Sequence, residues 1–64
     1  MPMTSKEMIK FLRKNNFVVI SQNGSHIKLK NYETERTVIV PSHTRDLKKG
    51  LEQAILKQAG LKIS

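Results

Sequence analysis

His26, Lys28 and Lys30 are the residues of this sequence whose types and spacing could do chemistry. They alternate within Ser25-His26-Ile27-Lys28-Leu29-Lys30. Alternation is the period of a strand, so all three are expected on one face, about 6.6 Å from one to the next. An imidazole moves protons near neutral pH, and two ammonium groups beside it neutralise phosphate. That set suits a phosphodiester. RNA carries its own nucleophile, the 2′-OH, which attacks the adjacent phosphorus. A histidine with cations and no metal could therefore cleave RNA by transesterification, whereas DNA lacks the hydroxyl. A histidine on an open strand is also an ordinary solvated residue. Two rival readings follow: a non-catalytic RNA-binding module using shape and backbone contacts, and a protein-interaction domain with a basic face.

Other residues enter as candidates of lesser weight. Lys6, Lys10, Arg13 and Lys14 share one side of a helical pattern. That stripe reads equally as a solvated helix face or as phosphate contacts for RNA, with Lys6, Lys10 and Arg13 foremost. His43 follows Pro41-Ser42 and reads as a loop residue near a helix start rather than a catalytic partner. Ser25 neighbours His26 in sequence, but adjacent strand residues point to opposite faces, so its expected place is the turn. Tyr32 could stack on a base. The two histidines are far apart and no Cys, Asp or Glu clusters with them, so no metal is expected.

The whole chain suits an anionic partner. It has 64 residues, with 12 Lys+Arg against 5 Asp+Glu, for a formal net charge of +7. A chain this short is expected to be one domain, residues 1–64, with a thin core and no deep cleft. Hydrophobic residues make up 38% and the mean hydropathy is −0.44, an ordinary globular composition. The absence of cysteine excludes disulfides, zinc fingers and thiol catalysis. The longest apolar run, Phe17 to Ile20, is far too short to span a bilayer, and the start lacks a signal-peptide core. The expectation is a soluble cytoplasmic protein with no membrane partner.

The elements that must position these residues are legible in order. Thr4-Ser5-Lys6-Glu7 matches a capping box, with Met3 and Met8 placed for a hydrophobic staple. Met8, Ile9, Phe11 and Leu12 then form one helical face, and Asn15-Asn16 is a stop. Phe17 to Ser21 is β-branched and aromatic, hence a strand. Asn23-Gly24 signals a hairpin, because both tolerate positive φ. Ser25 to Lys30 is the second strand, with Ile27 and Leu29 inward. Asn31 to Glu35 is a polar connection. Arg36 to Val40 is the third strand, ended by Pro41. A second helix should begin between Thr44 and Lys48, with Leu47, Leu51, Ala54, Ile55 and Ala59 on its apolar face. Gly60 is a left-handed cap after which Leu61 folds back on Leu56. Gly50 is costly in a helix interior, so it marks either the first turn or a close approach of the helix to the sheet. The expected architecture is α+β in the order α-β-β-β-α. A three-stranded antiparallel sheet carries both helices on one face and leaves the other wet.

These residues resemble a known family. Gly24-Ser25-His26 at the start of the second strand resembles the signature of the HicA toxins, small RNA-cleaving members of bacterial toxin–antitoxin modules. Val40-Pro41-Ser42-His43 is similar to the family's Val-Pro-x-His segment. Leu47-Lys48-x-Gly50 and Ile55 to Leu61 resemble its closing helix, and Ser5 to Phe17, with Ile9, Leu12 and Asn16, its opening one. The likeness covers nearly the whole chain in the same order. It implies a double-stranded-RNA-binding-like fold and a metal-independent mRNA interferase. His26 would be the catalytic histidine, mRNA the substrate, and a HicB-type antitoxin would cover the site. Ile27 stands where many members have a second histidine, and Asn31-Tyr32-Glu33-Thr34 where many have Pro-Asp-Gly. Lys49 stands where many have Pro.

Overall fold

The computed structural model describes residues 3–42 and 47–61. They form α1 (Ser5–Lys14), β1 (Val18–Asn23), β2 (His26–Asn31), β3 (Arg36–Pro41) and α2 (Lys49–Ala59). The strands make one antiparallel sheet in the order β1-β2-β3. This is the α-β-β-β-α architecture expected of an α+β protein. Among the described residues no helix is long and apolar enough to cross a membrane.

Local chemistry explains both ends of α1. The Glu7 N–H donates to Thr4 Oγ1 at 3.1 Å, and the Thr4 N–H donates to Glu7 Oε1 at 2.9 Å. The reciprocal pair satisfies two of the donors a helix start leaves open. At the other end Asn16 takes φ +70°, the left-handed conformation asparagine tolerates. The Asn16 N–H then donates to the Arg13 carbonyl and the Phe17 N–H to the Leu12 carbonyl, a Schellman closure. That closure throws Phe17 into the core at 1% exposure. The first strand therefore starts one residue later than Phe17, and it runs on to Asn23 because Asn23 pairs with His26. The hairpin loop is Gly24-Ser25, with positive φ at Gly24 only. Glycine at the first loop position is one of the two favoured two-residue hairpins.

The core lies between the sheet and the helices. Met8 and Leu12 of α1, Leu29 of β2, Val38 and Val40 of β3, and Ile55 and Leu56 of α2 are all buried in it. Both helices pack over β3 rather than β1. Leu47 is fully buried but precedes α2, and its N–H donates to the Met3 carbonyl at 2.8 Å. The Met3 N–H donates to Glu52 Oε2 at 2.9 Å, which clips the segment before α1 onto α2.

That clip corrects the expected face of α2. The buried stripe is Glu52, Ile55, Leu56 and Ala59, while Leu51 is 40% exposed and Ala54 is exposed. Leu47 lies outside the helix, so it does not set the helical phase. Glu52 turns inward because a main-chain donor needs it there. The end of α2 follows expectation: Gly60 takes φ +74°, and the Leu61 N–H donates to the Leu56 carbonyl at 2.9 Å. Arg36 adds to this end by donating from Nη1 to the Gln58 carbonyl at 3.2 Å.

Gly50 falls in the first turn of α2, and a Cβ built there meets nothing within 4 Å. Gly50→Ala is therefore expected to stabilise the fold by about 0.5–1 kcal/mol, chiefly by restricting the unfolded chain. Thermal melts should show a rise of a few degrees. A fall would mean that the glycine backbone is needed there.

Candidate functional site

β2 is the central strand, so its alternation is imposed by pairing on both sides. One face carries Ile27, half-buried, then Leu29 and Asn31, both buried. The other carries His26 and Lys28, both exposed, and Lys30, half-buried. Leu29 anchors the phase, because its side chain is wholly enclosed by the core. A slip of one residue would put Leu29 in water and Lys28 in the core, which burial energetics forbid.

Cross-strand partners complete the wet face. His26 lies between Asn23 and Pro41, Lys28 between Ser21 and Ile39, and Lys30 between Val18 and Thr37. Directly opposed residues share a face, with Cβ atoms about 4.5–5.5 Å apart. A bulge between Val19 and Ser21 decides who these neighbours are. Unbroken pairing from Val18 would set Ile20 opposite Lys28 and Gln22 opposite His26. The extra residue instead brings Ser21 and Asn23 beside them. Sequence reasoning missed both, and no local signal in Val18-Val19-Ile20-Ser21-Gln22-Asn23 gives the bulge away.

Tyr32 also belongs beside this row. Lys30 Nζ stands 4.9 Å from the centre of the Tyr32 ring, a cation–π arrangement. The turn that places it is organised by Asn31. Its buried Oδ1 accepts from the Glu33 N–H at 2.8 Å and the Thr34 N–H at 3.2 Å. Its Nδ2 donates to the Asn15 carbonyl at 3.4 Å. Glu35 closes the loop at φ +59°.

The other candidates are not brought to this face. Lys6, Lys10, Arg13 and Lys14 are exposed on the side of α1 opposite buried Met8 and Leu12. The core therefore separates them from His26, in a molecule whose shortest extent is 16 Å. Ser25 sits in the hairpin loop, where its carbonyl accepts from the Ser42 N–H at 2.6 Å. His43, and the Thr44 end of the span expected to start the second helix, lie outside the described residues. The start observed for α2 is Lys49, just past that span.

The resulting surface is open, with the His26 ring at one end and the Lys28 and Lys30 side chains along it. Such a surface suits a polyanion laid across the sheet better than a small molecule that needs enclosure. A family model described as the HicA toxin of bacterial toxin–antitoxin systems matches residues 5–61. The match spans every element of the fold, from the first residue of α1 to the cap after α2. Comparison with curated proteins gives no significant match.

Proposed function

The chain belongs to the HicA toxin family, and from that premise we propose that it is a metal-independent endoribonuclease that cleaves mRNA through His26. Membership makes it the toxin of a toxin–antitoxin system, with an antitoxin as partner. The finer reading is carried by one observation. The only histidine on the described part of the chain sits exposed on the central strand, in line with Lys28 and Lys30.

In this reading the 2′-oxygen attacks the neighbouring phosphorus and the bond to the 5′-oxygen breaks. The products are a 2′,3′-cyclic phosphate and a 5′-hydroxyl end. One proton leaves the 2′-OH and another reaches the departing oxygen, and His26 handles one of these transfers. Lys28 and Lys30 hold the phosphate and stabilise the charge that builds up on it. Lys6, Lys10 and Arg13 form a second basic patch that adds to the general attraction for RNA. General acid–base work by one group supplies about 10²–10⁴-fold, so a slow enzyme is expected.

The test is incubation of the purified chain with single-stranded RNA in excess chelator. New 2′,3′-cyclic phosphate ends support the proposal. RNA binding without such ends would replace it with a non-catalytic RNA-binding module.

Phosphate contacts have a further signature. For single-stranded nucleic acid each contact adds about 0.7 to the slope of log affinity against log salt. Replacing Lys28 and Lys30 together by Ala should lower that slope by about 1.4, the sum of two such contacts. An unchanged slope, with the loss appearing on Lys6, Lys10 and Arg13 variants instead, would move the RNA path to α1.

A further inference from the structure

β1 is an edge strand with little to guard it. It ends the sheet, and among the described residues no strand pairs with its outer side. Its residues, Val18-Val19-Ile20-Ser21-Gln22-Asn23, carry no charge, in a chain where 27% of residues are charged. Edge strands are commonly blunted by lysine, proline, a bulge or a covering element. β1 has the bulge but neither of those residues. Because the helices pack over β3, both faces of β1 stand clear. Val18 is 46% exposed and Val19 47%, although Val19 pairs with wholly buried Leu29.

The chemistry of this edge selects its occupant. Outward N–H and C=O groups are satisfied in full only by another extended backbone. Val18 and Val19 point to opposite faces, so an added strand would meet apolar side chains on both. On the Val18 face, Lys28 and Lys30 lie two strand spacings from such a strand, about 9.6 Å. That is comparable with the screening length of about 8–10 Å at moderate salt, and long side chains close the gap. A second copy of the chain would bring its own +7 to the junction. Carboxylates on the added strand would instead find a matching row.

We infer that β1 accepts an extended segment of an acidic protein partner as a fourth strand, with carboxylates on the side of Lys28 and Lys30. The inference rests on the toxin reading, which supplies such a partner in the antitoxin. A strand seated there lies along the rim of the His26 face, so partner and RNA would compete.

The experiment uses the full chain and a HicB-type antitoxin. Amide hydrogen exchange is followed with and without the antitoxin, and affinity is measured for the wild-type and Val19→Lys chains. Outward-facing amides of β1 should exchange at least tenfold more slowly in the complex. Val19→Lys should weaken the complex at least tenfold while leaving RNA cleavage by the free chain unchanged. The sign is diagnostic, because an added positive charge would tighten a complex held by electrostatics alone. A complex with unchanged β1 exchange overturns the inference and leaves the partner reading standing. So does a dimer of the chain by itself that protects the same amides. Failure of the wild-type chain to bind the antitoxin overturns both.

Discussion

His26→Ala should lower RNA cleavage by at least about 10²-fold, the low end of what one positioned acid or base supplies. Growth arrest on expression should disappear with it. The fold should survive, because the side chain is exposed and its strand is held by pairing on both sides. Surface changes of this kind usually shift stability by less than about 0.5 kcal/mol. The two measurements must therefore separate: cleavage collapses while the denaturation midpoint stays put. RNA affinity should change little, since the lysines remain. A folded His26→Ala protein that cleaves at the wild-type rate would remove the histidine from the mechanism. A variant that stops binding RNA would make His26 a binding residue instead.

Leu29→Ala should have the largest effect on stability. Leu29 is 0% exposed at the centre of the middle strand. Truncating a buried leucine costs about 2–5 kcal/mol through lost transfer energy and the cavity left behind. Stability of about 0.05–0.15 kcal/mol per residue leaves a chain of this length with roughly 3–10 kcal/mol. One substitution would thus remove a substantial part of the total. Val19→Ala is the matched control. Val19 sits directly opposite Leu29 in the sheet but is 47% exposed, so its loss should cost far less. Urea unfolding of the two variants should show that contrast. Equal midpoints would mean that the helices cover β1 after all.

The two predictions draw on features of unequal legibility. The phase of β2 was readable because Ile27 and Leu29 alternate with His26, Lys28 and Lys30, and only one of those sets can be buried. Phe17 reads as the first strand residue because β-branched neighbours follow it, whereas the Schellman closure of α1 turns it into the core. Tyr32 falls in the connection after β2 as the sequence predicts, but its closeness to Lys30 is not legible there, since it depends on a turn that Asn31 holds from the interior.

What the sequence by itself determined is local. The Thr4–Glu7 capping box, the left-handed stops at Asn16 and Gly60, and the alternation of β2 each rest on residues a few positions apart. Local sequence encodes which of these hydrogen bonds and faces are preferred, whatever the distant segments do. Only the tertiary structure decided the bulge that seats Ser21 and Asn23 beside the cations. The same holds for the rotation of α2 that buries Glu52 and exposes Leu51, and for the placement of both helices over β3 that leaves β1 open. Each depends on a partner distant in sequence: Lys28 for the bulge, Met3 for Glu52, the packed core for the helices. A main-chain donor that must be satisfied, or a volume that must be filled, outweighs local preference, and neither exists until the distant segments meet.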